Sequence, residues 1–244
     1  MCVPLTCPAA PAGVRVFVDF DGTIALEDTT DVILERFAAS DWRTIEAEWI
    51  AGAIGSRACL ARQVELVRAS PDALDAIADS VPLDPHFPEF VTFCRAARIA
   101  VTVISDGLDR VVKRMLAGAG LDLPVLANHL EWLGGDRWRL AFPHSRVSCC
   151  VAAGNCKCAA LTRDAGTTRI LVGDGRSDFC CAQIADFILA KGALAEHCQY
   201  AGLNYCVIGS FAGATLLLRD WIGALAPRGE GPRQAEGSVH ASSP

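Results

Sequence analysis

Asp19 and Asp21 place two carboxylates at the end of the apolar run Val14 to Val18, and Asp174 and Asp178 bring two more after the run Ile170 to Val172. Four carboxylates converging in one crevice repel one another unless a cation holds them or a proton is shared. Hard oxygen donors with room for water suit Mg²⁺, which is usually held by one or two carboxylates together with a substrate phosphate oxygen. A carboxylate can attack phosphorus and form an acyl phosphate. A second carboxylate beside it can protonate the leaving oxygen and later activate water. Lys157 offers a point charge for phosphoryl oxygens and Ser105 a hydroxyl. Gly22 and the Gly107 of Ser105-Asp106-Gly107 let backbone amides approach the same oxygens.

Such residues need strands to aim them. Val14 to Val18, short, apolar and β-branched, predicts a buried strand ending at Asp19. Ile99 to Ile104 predicts a second, ending at Ser105, and Ile170 to Val172 a third, ending at Gly173-Asp174. Leu123 to Ala127, Phe187 to Leu189 and Tyr205 to Ile208 predict further strands, and Gly134-Gly135-Asp136 marks a hairpin over residues 130–142. Helices are expected near 108–117, 157–165 and 177–185. Strands alternating with helices imply an α/β fold with a mostly parallel sheet covered on both faces. In open sheets of this kind the ligand crevice lies beyond the carboxyl ends of the strands.

Residues 29–94 read as helical throughout. Val32, Ile33, Phe37, Ile45, Trp49, Leu60, Val64 and Val67 recur at helical spacing, and Gly52, Gly55, Pro71, Pro82 and Pro85 punctuate them. That block is too long for a short crossover. The expected organisation is a flexible lead-in at 1–13, a catalytic core of 14–28 and 96–226 with a hairpin at about 128–142, an inserted helical cap at 29–95, and a disordered tail at 227–244.

Composition narrows the function classes. Hydrophobic residues make up 52% of the 244 and charged residues 20%, so a packed core is expected. The net charge is −6, with no basic stripe, which argues against a nucleic-acid partner. The apolar stretch from Cys206 to Leu218 is too short for a bilayer, which needs about 20 apolar residues, and Met1 to Gly13 lacks the regions of a secretory signal. The expectations are no membrane partner and a cytoplasmic location.

Asp19-Phe20-Asp21-Gly22-Thr23, Ile104-Ser105, Lys157 and the run Gly173 to Asp178 resemble, in order and spacing, the four motifs of the haloacid dehalogenase superfamily. Each motif alone is weak, because turn chemistry or a helix N-cap explains it equally well. The set of four is specific. The resemblance spans about Val14 to Trp221 and implies a Rossmann-like core with a helical cap between the first two motifs. It implies that Asp19 is nucleophile and metal ligand, and that Asp21 is the general acid/base and lends its backbone carbonyl to the metal. Ser105, Asp106, Gly107 and Lys157 would bind the phosphoryl group. Asp174 would ligate the metal, and Asp178 would do so through water or orient the site.

The cap and hairpin resemble the phosphoserine phosphatase branch. Pro143-His144-Ser145 followed by Cys149, Cys150, Gly154, Cys156 and Lys157 resembles the methionine-salvage phosphatases that act on 2-hydroxy-3-keto-5-methylthiopentenyl-1-phosphate, and Asp28 fits them too. Phosphoethanolamine/phosphocholine phosphatases share a similar cysteine-rich stretch, and phosphoserine is a third substrate to weigh. The expected partner is therefore a small phosphorylated metabolite, with a homodimer left open as the assembly. Asp21 argues against dehalogenation, which needs no protonated leaving oxygen. Asp19 and Lys157 argue against a phosphate-binding protein without turnover.

Asp28 and Arg57, with Trp49, are the cap residues expected to read the substrate, although Asp28 is also placed to cap the helix that follows. Of the twelve cysteines, Cys59, Cys94, Cys180, Cys181, Cys198 and Cys206 sit in apolar or amphipathic runs and read as free thiols. Cys149, Cys150, Cys156 and Cys158 lack any C-x-x-C pair, which favours free thiols over a structural zinc site. His144 reads as a loop-packing residue.

Overall fold

The computed structural model of the chain describes residues 13–163 and 166–225. The lead-in expected at 1–13, apart from Gly13, and the tail expected at 227–244 lie outside the described residues.

Among the described residues, seven strands form one sheet in the order β4-β3-β2-β1-β5-β6-β7. They are β1 (Val14–Val18), β2 (Ala100–Leu108), β3 (Val125–Gly134), β4 (Arg137–Ala141), β5 (Thr168–Gly173), β6 (Phe187–Ala190) and β7 (Tyr205–Val207). All neighbours are parallel except β3 and β4. The strand after β1 joins on one side of it and β5 on the other, which makes the carboxyl end of β1 a topological switch point. Val16 and Val18 are wholly buried there, as a strand covered on both faces requires. The Asp19 N–H still donates to Val172 O at 2.8 Å, so the ladder holds the chain up to the first carboxylate.

Two details differ from the sequence expectation. Leu123 to Ala127 and the first arm of the hairpin are one strand, because β3 pairs with β2 as far as Asn128 and with β4 from His129 onward. Ser105 does not end its strand. It begins a register break inside β2, between Ile104 and Leu108, where Ser105, Asp106 and Gly107 leave the ladder and turn toward the crevice.

Among the described residues, ten helices surround the sheet: α1 (Thr29–Phe37), α2 (Arg43–Ile50), α3 (Ser56–Val64), α4 (Pro71–Ser80), α5 (Phe87–Ala96), α6 (Asp109–Gly118), α7 (Lys157–Thr162), α8 (Phe179–Ala182), α9 (Gly192–Ala201) and α10 (Phe211–Leu225). The helix expected at 177–185 is shorter, because a 3-10 turn at Arg176–Asp178 precedes α8. The five helices between β1 and β2 divide by what they touch. α5 packs on β2 and α10, and α4 on α6 and α1, while α2 packs on α3 and α3 packs on both α2 and β4. No helix among the described residues is long and apolar enough to cross a membrane.

Asp109, at the start of α6, fastens that helix to the sheet. Its carboxylate accepts the Leu130 N–H at 3.0 Å and Lys113 Nζ at 2.9 Å, and His129 Nδ1 lies 3.1 Å away. Burial alone would raise its pKa, but these hydrogen bonds outweigh it and hold the carboxyl below its ordinary value. Asp109→Ala should lower the unfolding free energy by about 2 kcal/mol in urea denaturation. A depressed folded pKa stabilises the protein above the unfolded value of about 3.9. The gap between wild type and Asp109→Asn should therefore persist at neutral pH and shrink as pH falls through the folded value.

Candidate active site

Three strand ends and one helix start supply the site. Asp19 follows β1, Ser105 to Gly107 occupy the break in β2, Asp174 follows β5, and Lys157 opens α7. Lys157 is 4% exposed, and its Nζ lies 2.7 Å from Asp19 Oδ2 and 2.7 Å from Asp178 Oδ1. It also donates to Ser177 Oγ at 2.9 Å, and Ser177 Oγ donates to Asp19 Oδ2 at 3.3 Å. Burial alone would lower the Lys157 pKa, but Asp178 and Asp19 more than offset it, so the ammonium keeps its charge.

The Phe20 N–H donates to Asp19 Oδ1 at 2.7 Å, which orients the carboxylate. Asp21 sits apart from Lys157. Its Oδ1 accepts the Thr29 N–H at 2.8 Å and the Thr29 hydroxyl at 2.7 Å, and Ser105 Oγ donates to its Oδ2 at 3.5 Å. Burial first, and the nearby Asp28 second, push the Asp21 pKa up to about 8. At neutral pH it is predominantly a protonated acid, which can give a proton away.

Asp174 Oδ1 accepts the Thr23 hydroxyl at 2.7 Å. Its pKa is raised, chiefly by burial and then by Asp19, and the Asp178 pKa is raised for the same two reasons. Carboxylate oxygens of Asp19, Asp174 and Asp178 can be chosen that all lie within 4.8 Å of one another. Lys157 bridges two of the carboxylates and Lys191 acts on Asp174 from further off, and the donors are hard oxygens at the mouth of a cavity. The set fits a divalent cation such as Mg²⁺. The Asp21 carboxylate is not in the set.

The backbone is fitted to these oxygens. Gly22 has φ +70°, and a Cβ there would collide with the Asp174 carboxylate. A Cβ on Gly107 would lie 2.6 Å from Asp21 Oδ2 and 3.0 Å from Ser105 Oγ.

Asp19, Asp21 and Asp174 line a cavity of about 180 Å³. Its far wall comes from α1, α2 and α3: Asp28, Thr30, Asp31, Glu46, Trp49, Ser56 and Gln63 among others. Asp28 lines it while capping α1, accepting the Thr30 and Asp31 N–H groups at 2.9 and 3.0 Å. Arg57 does not line it. Its side chain is exposed and its N–H donates to Ala152 O at 3.3 Å. Asp106 lines the cavity, but its carboxylate is engaged elsewhere, with Ser56 Oγ, the Asn155 N–H at 2.7 Å and Asn128 Nδ2. Only its backbone amide is left for an anion.

Thr23 and Ser177 lie inside the quoted motifs, yet residue type alone gave them no role. Asn155 had no signal at all. It is 2% exposed and donates to Ser105 O at 2.9 Å and Leu126 O at 2.7 Å, tying the loop before Lys157 to β2 and β3. Ser56 and Gln63 likewise stand out only once α3 is placed. His144 enters through its carbonyl, which accepts the Cys156 N–H at 3.2 Å. Cys59, Cys94, Cys181 and Cys198 are buried free thiols and Cys180 a partly exposed one, whereas Cys206 is disulfide-bonded.

An α/β sheet with paired aspartates after its central strand, and a buried lysine between carboxylates, is the arrangement of one hydrolase family. The family model described as haloacid dehalogenase-like hydrolase matches residues 16–183, and the chain belongs to that family. It is 28% identical over 211 residues to the 2-hydroxy-3-keto-5-methylthiopentenyl-1-phosphate phosphatase of Brevibacillus brevis, covering 84% of this chain and 95% of that one. The protein of the same description from Geobacillus kaustophilus is 27% identical over 201 residues, covering 80% and 91%. Among solved structures, a phospho-aspartyl intermediate analogue of phosphoserine phosphatase superposes with a TM-score of 0.63 at 21% identity, covering 87% of this chain and 98% of that one.

If a cation relieves the crowding of Asp19, Asp174 and Asp178, adding Mg²⁺ to metal-free protein should raise its melting temperature. The stabilisation would reach about 2.7 kcal/mol at 100 times the dissociation constant. Chelation should reverse it, and Asp174→Asn should flatten the response in a thermal-shift titration.

Proposed function

We propose that this chain is a Mg²⁺-dependent cytoplasmic phosphatase that hydrolyses a small phosphorylated metabolite through an aspartyl-phosphate intermediate. The observation that carries the reading is the pairing of Asp19, 2.7 Å from the ammonium of buried Lys157, with Asp21, whose pKa burial raises to about 8. Two carboxylates close in sequence thereby sit in different environments, one against an ammonium and the other raised so that it holds a proton, which suits a nucleophile and an acid. Asp19 attacks phosphorus. Lys157, Ser105 and the amides around Gly107 hold the phosphoryl oxygens, with Asp106 adding its N–H. Asp21 donates its proton to the leaving oxygen and, now a base, takes one from the water that cleaves the acyl phosphate. Mg²⁺ held by Asp19, Asp174, Asp178 and the Asp21 carbonyl would supply charge against the repulsion between carboxylate and phosphate.

The first substrate to test is 2-hydroxy-3-keto-5-methylthiopentenyl-1-phosphate. The curated relatives carrying that description match over most of their length, and the cysteine-rich approach to Lys157 resembles that group. Phosphoserine, phosphoethanolamine and phosphocholine are the comparison substrates. In this reading α2 and α3, with the start of α1, are the cap proper, and Asp28 and Trp49 read the substrate's far end. Arg57 points away from the cavity and contributes only through the loop it touches.

Phosphate release with Mg²⁺ tests the chemistry. Asp19→Asn should reduce it by on the order of 10³-fold or more, because an amide is a poor nucleophile; appreciable turnover in that variant would sink the covalent route. Asp21→Asn should cost about 10² to 10⁴-fold on an alkyl phosphate. It should cost much less on p-nitrophenyl phosphate, whose leaving group needs no proton.

A further inference from the structure

A second cluster of side chains of metal-ligating type lies outside the acidic cavity. The loop between β4 and α7 carries Cys149, Cys150 and Cys156, α7 carries Cys158, and α8 carries Cys180. All five are free thiols and all five line one surface cavity of about 420 Å³. Cys180 Sγ lies 3.1 Å from Cys150 Sγ and 3.1 Å from Cys158 Sγ. Cys149 interacts electrostatically with both Cys156 and Cys158, and its Sγ accepts the Ala153 N–H at 3.4 Å. Such an N–H bond to sulfur orients a ligand from outside the coordination shell.

We propose that Cys149, Cys150, Cys158 and Cys180 form a tetrathiolate site for a soft divalent cation of the zinc class. The site is independent of the one that would hold Mg²⁺. Binding converts four thiols to thiolates with release of their protons, and gives a complex of net charge about −2. Arg146 and Arg163 line the same cavity and oppose that charge. The spacing in sequence argued against zinc because the loop has no C-x-x-C pair. Cys180 changes that argument, since it reaches the cluster from 22 residues beyond Cys158.

Three features favour a metal over a disulfide. Cys180 meets two thiols at once, and a disulfide would use one and strand the other. The guanidinium groups suit an anionic complex and have nothing to oppose in a neutral disulfide. The chain from Phe142 to Cys156 also contains neither helix nor strand, yet it must fix Asn155 against Ser105 and Leu126. A coordinated ion gives such a loop rigidity that its backbone hydrogen bonds do not. Among the described residues no three of these sulfurs lie within 4.8 Å of one another. With Zn–S near 2.3 Å, tetrahedral ligands stand about 3.8 Å apart. Side-chain rotation, chiefly of the exposed Cys150, therefore closes the set around the ion.

The test uses the full chain, purified under reductant, incubated with Zn²⁺ in excess Mg²⁺ and desalted. Metal is then counted by mass spectrometry, and Cd²⁺ exchange is followed by thiolate-to-metal charge-transfer absorption. About one zinc per chain is expected, as one four-ligand site demands. It should be lost in Cys158→Ser and Cys180→Ser and kept in Asp19→Asn, Cys94→Ser and Cys156→Ser, with circular dichroism confirming that each variant folds. The Cd²⁺ absorption of the wild-type protein is a readout that does not depend on any variant folding. Three results overturn the proposal. One is a wild-type protein that retains no zinc and gives no Cd²⁺–thiolate band. Another is zinc that disappears with Asp19→Asn rather than with Cys180→Ser. The third is a Cys150–Cys180 or Cys158–Cys180 disulfide in protein prepared under reductant.

Discussion

A single buried ammonium sets the terms for the site. Lys157 touches both Asp19 and Asp178, and it is the only cation within salt-bridge reach of either among the described residues. Charges in so dry a place interact far more strongly than in water, so the lysine and its partners must be held rigidly. Much of the surrounding architecture does that holding. α7 begins at Lys157, Asn155 anchors the preceding loop to β2 and β3, and Asp106 braces the same loop through the Asn155 N–H. Lys157 touches two of the three carboxylates, and Asp174 has no ammonium within salt-bridge reach among the described residues, which is why the same group of oxygens also fits a metal ion.

The second constraint is room. Two carboxylates can be aimed into one crevice from neighbouring loops only where the backbone steps aside. At Gly22 that requires a positive φ and no Cβ, and at Gly107 it requires the space a Cβ would take from Asp21 and Ser105. The register break in β2 serves the same end. Outside the ladder the Gly107 N–H donates to Ser105 Oγ at 2.9 Å and the Ser105 carbonyl accepts Asn155 Nδ2 at 2.9 Å, which fixes the Ser105 hydroxyl at the crevice, while Leu108 rejoins the sheet and α6 follows at once.

What could be read from the sequence was what obeys a local rule. β1 stood out because four apolar residues, three of them β-branched, in a run of five precede an aspartate, and it lies where expected, from Val14 to Val18. Strand ends, glycines and carboxylates in short motifs are likewise local, so Asp19, Asp21, Ser105, Asp174 and Asp178 were identifiable from residue types, whereas Lys157 stood out only through the family resemblance; the structure gathers all six at one place. Asn155, Ser56 and Gln63 were not, because their importance lies in partners far away in sequence: Ser56 meets Asp106, and Asn155 meets β2 and β3. Arg57 shows the converse. Its type suited a phosphorylated ligand, but its position on α3 turns it outward.

Substrate preference lies in that non-local part. The phosphoryl end is held by motif residues, whereas the far wall is assembled from α1, α2 and α3, whose residues are close only after folding. The two halves are physically joined. Arg176, inside the loop that carries Asp174 and Asp178, donates to Ile50 O at 3.0 Å and lies over the Trp49 ring at 5.8 Å. Ser56 reaches from α3 to Asp106 on the opposite side. Moving α2 and α3 away from the sheet would break both ties, and each ends on a segment that carries site residues. Opening of the cavity and the geometry around the carboxylates are therefore one mechanical problem, so a substrate whose far end packs well against Trp49 would also help hold the Asp174–Asp178 loop in place.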